Sequence, residues 1–476
     1  MDIRRLKRIS ESCWELPPSG AMRVPAYIFA CRELLQEMDD KVVEQLSNVA
    51  SLPGIVKGAM AMPDAHWGYG FPIGGVAAFD PLEGGVISVG GVGYDISCGV
   101  RSLVLNISRD EIEGQISALI DALFRAIPAG VGSEGAIRLN RDELDQVLIH
   151  GARWAVEKGY GTKEDLRFIE ENGCMPGADP EKVSIVAKDR QYRQVGTLGS
   201  GNHYLEIQYV ETLFDREAAR AYGLEQDGVL ISIHCGSRAL GHQIGTDYIQ
   251  ILGKAARRYN IPIRERELVC APIESPEGRD YFAAMACGIN CALANRQVLG
   301  ALVRDVVESF LPGVSCRLIY DVSHNTCKPE IHSVGGRERL LYVHRKGATR
   351  AFGPGRRDLP HEYVEAGQPL FIGGTMGTCS YILAGNQEGE RLAWASACHG
   401  AGRSMSRRAA LSKWKGKRVI GDLKGKGIIV KAASMRGAAE EAPEAYKDIE
   451  AVVESTHKAG LARKVARVRP LAVIKG

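Results

Sequence analysis

The 476-residue sequence contains no CxxC pair, although it holds 12 cysteines. Their scattered spacing excludes a zinc ribbon and is equally unlike a small disulfide framework. In a reducing compartment, isolated cysteines are small buried hydrophobes, so one becomes a ligand candidate only beside neighbours of the right chemistry. Long hydrophobic runs are also missing. The most apolar helical stretch, Tyr281 to Ala294, is cut by Asn290 and closed by Asn295 and Arg296, too soon to span a bilayer. The basic N-terminus, MDIRRLKRISESCWELPP, has no apolar segment behind it and is no secretory signal. A soluble, cytoplasmic protein is expected. The GK[ST] ending of a Walker A loop and the GxGxxG dinucleotide fingerprint are both missing. There is no internal repeat and no Pro/Ser-rich linker long enough to separate independent domains.

What remains is ordinary globular material, 45% hydrophobic and 25% charged, with 55 glycines in clusters. The net charge of +3 hides an asymmetry. Residues 401–476 hold 18 Lys or Arg against 7 Asp or Glu, while the first 400 residues hold 42 against 50. A basic C-terminal segment beside a metal-attracting body suits a polyanionic substrate, although a solvated lysine-rich surface gives the same balance. Ser108–Glu111 reads as a capping box before a helix carrying Ile112, Ile116, Leu119, Ile120 and Leu123. Val229–Ile233 and Leu318–Ser323 read as buried strands ending in His234 and His324, and residues 281–311 read as a long buried helix. Gly421 to Met435 is Lys/Gly-rich with one apolar strand, Ile428 to Val430.

Five segments carry chemistry. In GGVGYDISCG, Asp95 and Cys98 sit among glycines that let the backbone turn tightly; a carboxylate and a thiolate three apart make a mixed metal half-site. An aspartate in a turn and a buried cysteine would look the same. GSGNHYLE delivers His203 from a small-residue loop, with Asn202 before it and Glu206 after it. HCGSR and DVSHN deliver His234 and His324 from strand ends, the first followed by Arg238. One histidine at a strand end is ordinarily just hydrogen-bonded in place, whereas three so delivered point to ligands. His66, in the glycine-rich MPDAHWG stretch, is placed at the cleft; His150, His361 and His457 are placed on the surface. In ACHGAGR, His399 precedes a Gly-Ala-Gly turn and Arg403, a phosphate cradle beside an imidazole nucleophile. GGTMGTCS, from Gly373 to Ser380, is a second glycine/hydroxyl loop fit for a nucleotide.

Taken together these segments resemble the RtcB family of RNA ligases. The resemblance runs in order through LPGIVKGAMAMPDAHWGYGFPIGGVAAFD, GGVGYDISCGVR, GTLGSGNHYLEI, HCGSRALGHQI, DVSHN, HRKGATRAF, MGTCSYIL, HGAGR and the terminal AVIKG. It implies the family's own α+β fold over 1–476 as a single catalytic unit, neither Rossmann nor built around a lysine nucleophile, with the basic segment 401–476 flanking the site. It implies two Mn²⁺ held by Asp95, Cys98, His203, His234 and His324, Cys98 bridging, and GMP carried from GTP on His399. Asn202, Arg238, Lys346 and Arg403 match positions that hold phosphates; Glu206, Ser380, Tyr446 and Lys475 match positions around the guanine, and Thr375, where the family has another residue, keeps a hydroxyl for the guanine or ribose. The implied reaction joins RNA 2′,3′-cyclic phosphate or 3′-phosphate ends to 5′-hydroxyl ends, in tRNA splicing or RNA repair, with archease as a possible activator. A monomer is expected.

Four positions, in three segments, depart from the family pattern. Ser97 stands where Asn is expected, Val89 where Pro is expected, and GGTMGT where PGSMGT is expected. None is a ligand or the nucleophile. A metal-dependent phosphoesterase or nuclease would use the same Asp/Cys/His set but would have no need of HGAGR or the second loop. A paralogue that caps or repairs nucleic-acid ends fits the same residues. A non-catalytic RNA-binding protein would not need to keep all five ligands.

Overall fold

The computed structural model describes all residues, Met1–Gly476. Two large sheets and one long helix organise it. The first sheet has the spatial order Lys7–Ser10, Cys13–Leu16, Ala26–Ile28, Ile55–His66, Ile73–Phe79, Arg337–Lys346, Asn325–Val334. The second runs Cys316–Ser323, Gly99–Ser108, Gly228–Cys235, Tyr204–Leu213, Ala462–Lys475, Ser380–Gly385, Pro369–Ile372, and Ile429–Ala432 pairs in parallel with its C-terminal strand. Apart from that pair, neighbours in the second sheet are antiparallel. One buried apolar cluster passes through both sheets and the long helix; a small second one, including Met376, Leu423 and Val473, lies under the basic segment.

The long helix is Pro276–Phe310, starting earlier than expected because Ser275 caps it, accepting from Gly278 N–H, with Pro276 in the first turn. Most of it is buried, polar residues included. The capping box at Ser108 is present, but the helix behind it is not continuous: Arg109–Ile112 gives way to a 3₁₀ turn, Glu113–Gln115, before Ile116–Ala126 resumes. Gly114, a poor helix former, sits in the break. The two expected strands extend to Gly228–Cys235 and Cys316–Ser323, so His234 lies within a strand and not after it. The Lys/Gly-rich stretch is entered by a helix, Gly416–Gly425, ahead of its strand Ile429–Ala432. No helix is long and apolar enough to cross a membrane.

Register in the second sheet sets strand ends side by side. Gly99 faces both Ser323 and Cys235, Tyr204 faces His234, and Lys475 faces Tyr204. Five neighbouring strands therefore bring Cys98, His203, His234, His324 and Lys475 to the same end of the sheet.

Candidate active site

That sheet end is the floor of a cavity of about 330 Å³. Cys98 Sγ lies 3.1 Å from His234 Nε2 and 3.4 Å from His203 Nε2. His234 Nε2 is 3.2 Å from His324 Nε2, and His203 Nε2 is 2.9 Å from Asp95 Oδ2. The atoms fall into two overlapping groups, Cys98/His234/His324 and Asp95/Cys98/His203, each able to hold a metal ion and sharing only Cys98. Burial, then neighbouring positive groups, holds His234 and His324 well below the usual histidine value, so both are neutral and each offers one nitrogen lone pair. His234 Nδ1 faces the Asn202 carbonyl at 3.1 Å, which fixes its proton there and turns Nε2 toward the cluster. Burial, then the Asp95 carboxylate, pushes the Cys98 thiol well above its ordinary value; a cation at the sulfur reverses that. Donor nitrogens facing one another across a buried sulfur are satisfied by an ion between them.

His399 follows the short strand Ser396–Cys398 and stands on the cavity wall, its ring centroid 4.8 Å from that of His324. Asp64, fully buried, is its partner. Asp64 Oδ2 accepts from His399 Nδ1 at 2.7 Å and from the His399 backbone N–H at 3.1 Å. The turn after His399 closes over this aspartate: Gly402 has φ +73°, and a Cβ there would lie 2.1 Å from the Asp64 carbonyl oxygen. Only glycine fits. In the MPDAHWG stretch sequence reasoning singles out His66, which does line the cavity, and misses Asp64. The signal for Asp64 is an acidic residue inside an apolar strand, Ile55–His66.

The nucleotide-side candidates divide. Asn202, Glu206, Lys346, Thr375, Arg403, Tyr446 and Lys475 line the cavity. Arg238 and Ser380 are not among the lining residues, nor is the metal-site candidate His203. Arg238 Nε donates to Thr197 Oγ1 at 3.1 Å, and Ser380 Oγ accepts from Gly374 N–H at 2.9 Å, bracing the Gly373–Ser380 loop. The Thr375 hydroxyl is also turned into this loop, 3.0 Å from Thr378 Oγ1. Glu206 is buried with Oε1 unpartnered, and burial pushes its carboxyl up to about 8, with Lys475 pulling the other way. Burial likewise lowers the Lys346 ammonium to about 7. Glu441, which no sequence motif marks, is a buried carboxylate that gathers Arg403 at 3.3 Å, Arg407 at 3.6 Å, Lys475 at 3.7 Å and the Tyr446 hydroxyl. His150, His361 and His457 are exposed.

A mixed α/β chain whose buried Cys/His/Asp groups are able to hold metal ions and open into a cavity is the class these features define. Residues 45–476 match the family model described as tRNA-splicing ligase RtcB. Relatives from Archaeoglobus fulgidus and Thermococcus kodakarensis, both named tRNA-splicing ligase RtcB, are each 50% identical over 477 residues, 99% of this chain and of their own. One from Mycobacterium tuberculosis, named RNA-splicing ligase RtcB, is 50% identical over 434 residues, 91% of this chain and all of its own. The chain belongs to the RtcB family of metal-dependent RNA ligases.

Proposed function

We propose that this chain joins RNA 2′,3′-cyclic phosphate or 3′-phosphate ends to 5′-hydroxyl ends, using GTP and two Mn²⁺, through GMP carried on His399. The observation that carries the reading is the His399–Asp64 pair, 2.7 Å apart, beside the shared-thiolate clusters in one cavity. Hydrolysis alone has no need of a buried carboxylate aimed at a second, non-ligand histidine. Residues from Asp64 to Lys475 line or support that cavity, which favours 1–476 acting as one catalytic unit.

The donor set fits two divalent cations: Asp95, Cys98 and His203 would hold one, and Cys98, His234 and His324 the other. When bound, such ions neutralise phosphate charge and polarise the phosphoryl group under attack. The chain's own residues supply the rest. Asp64 keeps the His399 proton on Nδ1, so Nε2 presents its lone pair to the α-phosphorus of GTP; the N–P bond forms and pyrophosphate leaves. The carboxylate stabilises the positive charge that develops on the ring. An RNA 3′-phosphate oxygen then attacks the same phosphorus, the N–P bond breaks, and the RNA end becomes a 3′–5′ pyrophosphate to guanosine. The 5′-hydroxyl displaces GMP from that end, forming the phosphodiester. A cyclic end is first hydrolysed to the 3′-phosphate.

Glu206 Oε1, unpartnered inside the cavity, suits the N1–H and N2–H donors of guanine, with Lys475 offsetting its charge. Arg403, Arg407 and Lys346 suit phosphate oxygens, and the exposed lysines of 401–476 suit the RNA backbone. The test is incubation with α-labelled GTP and Mn²⁺ followed by denaturing electrophoresis. An acid-labile label on the protein, absent from His399→Ala and Cys98→Ala, is the expected result. No label on manganese-loaded wild type, even with archease added, overturns the reading in favour of a phosphoesterase.

A further inference from the structure

The polar residues that close the apolar run of the long helix are not idle. Asn295 and Arg296 have no solvent exposure, and the proposed ligation chemistry makes no use of either. Arg296 Nε donates to Asp321 Oδ1 at 2.8 Å. Its Nη1 donates to the carbonyl oxygens of Ser97 at 2.6 Å and Cys235 at 3.0 Å, and its Nη2 donates to Ser323 Oγ at 3.2 Å. Ser97, Cys235 and Ser323 are the chain neighbours of Cys98, His234 and His324, the whole of one ligand group. Of the other group, Arg296 braces only the shared Cys98.

The anchored backbone is strained at one point. Ser97 has φ +57°, the left-handed region, which non-glycine residues avoid. Such a conformation persists only where its surroundings over-determine it. Here the Ser97 N–H donates to the Asn325 carbonyl at 2.8 Å, its hydroxyl lies 2.8 Å from Ser323 Oγ, and its carbonyl takes the shortest of the Arg296 bonds. A guanidinium presents five N–H donors in a rigid plane, so one side chain can tie segments far apart in sequence at a fixed spacing; an ammonium cannot.

We propose that Arg296 is a positioning residue for metal binding, holding the peptides beside Cys98, His234 and His324 at the spacing one cation requires. The inference rests on the two-metal reading of the site and adds to it an asymmetry: the Cys98/His234/His324 position depends on Arg296, and the Asp95/Cys98/His203 position does so far less. Arg101 provides the control. It is equally buried and donates to the same aspartate, Nη1 to Asp321 Oδ2 at 3.0 Å, but its side chain, whose other bond is to Gln297, reaches no neighbour of a candidate ligand.

The experiment is Mn²⁺ equilibrium dialysis against full-length protein stripped of metal, with folding checked by near-UV circular dichroism. Wild type is expected to bind two equivalents, and Arg101→Lys to do the same. Arg296→Lys should keep one equivalent near wild-type affinity and weaken the other by about 10–100-fold, the usual effect of removing a ligand's supporting bonds. Ser323→Ala, which removes one Arg296 bond together with the Ser97–Ser323 hydroxyl contact, should weaken the same equivalent several-fold, and it decides the matter if Arg296→Lys does not fold. Two unweakened equivalents in the folded clamp variant overturn the proposal. So does equal weakening of both positions, or an Arg101→Lys isotherm as poor as that of Arg296→Lys. Wild type that fails to bind two equivalents overturns the two-metal reading itself, and this proposal with it.

Discussion

Asp64→Asn tests the proposed chemistry where the structure offers least redundancy. Oδ2 accepts hydrogen bonds from His399 Nδ1 at 2.7 Å and from the His399 backbone N–H at 3.1 Å, while Oδ1 has no partner, so everything at stake lies on one oxygen. A hydrogen bond to an ionised acceptor contributes about 1.5–3 kcal/mol net. Asparagine preserves the volume but offers only a neutral acceptor. Turned over, it offers an N–H, which forces the imidazole proton onto Nε2 and blocks the attacking lone pair. In serine proteases the equivalent exchange costs about 10⁴ in kcat, chiefly through the wrong tautomer. The bond energy alone gives roughly tenfold to a hundredfold, so the expected loss lies between about 10 and 10⁴ in the rate of covalent labelling from α-labelled GTP. Asp64 belongs to neither ligand group, so Mn²⁺ binding by dialysis should be unchanged. Labelling within about threefold of wild type would refute the orienting role. Loss of manganese in the variant would show that Asp64 acts through the metal centre and not through His399.

Cys98→Ala should weaken both manganese positions together, because Cys98 is their one common ligand, whereas His324→Ala should weaken one; a tight site surviving in Cys98→Ala would show that the thiolate is not shared. Glu206→Gln should change how stability depends on pH. Burial raises the Glu206 carboxyl from 4.5 to about 8, so the folded state keeps the proton longer than the unfolded state. Ligand-free stability is therefore lost as pH rises between about 5 and 8, by up to about 4 kcal/mol, and the variant should lack that decline in urea melts. The same variant should bind GTP roughly tenfold or more weakly, and parallel pH profiles with equal GTP affinity would contradict the assignment. Charge reversal at Lys413, Lys415 and Lys417, all exposed, should weaken RNA binding, flatten its salt dependence and leave self-guanylylation intact; unchanged affinity would exclude them from the RNA path.

How far the sequence can be read depends on the range of the interaction. The histidines at strand ends are legible because buried strands announce themselves by apolar runs, and a histidine closing such a run has one place to go: the sheet end. The common register that brings His203, His234 and His324 together is a property of pairing across the sheet, which no single segment states. Asp64 and Glu441 escape sequence reasoning because their meaning lies in partners far along the chain: Asp64 is read only with His399, and Glu441 only with Arg403, Arg407 and Lys475. Asn295 and Arg296 are visible as polar interruptions of an apolar helix, which settles that it does not span a bilayer. What they bond to cannot be read there. Local signals fail in small ways as well, at Gly114 and at the helix that enters the Lys/Gly-rich stretch.

The departures from the family pattern can be judged by the same distinction between what a residue prefers and what its surroundings impose. Asparagine enters the left-handed region more readily than serine, so Ser97 at φ +57° is the less comfortable choice. Its conformation is nevertheless set by Asn325, Ser323 and Arg296, all of them external to the loop, so the exchange alters local strain more than the direction in which Cys98 points. Gly99, one step beyond the ligand, has no such latitude: a Cβ there would lie 2.4 Å from the Val322 carbonyl oxygen, inside the strand that delivers His324. Thr375 is a third case. Its hydroxyl bonds within its own loop to Thr378, so a serine there would serve the same turn and the methyl group is the only real change. Exchange is tolerated where the geometry is held from outside the segment, and it is not tolerated where two backbones meet. That is why a site whose candidate ligands come from four separate segments can accept Ser97 and Thr375 and still converge on one sulfur.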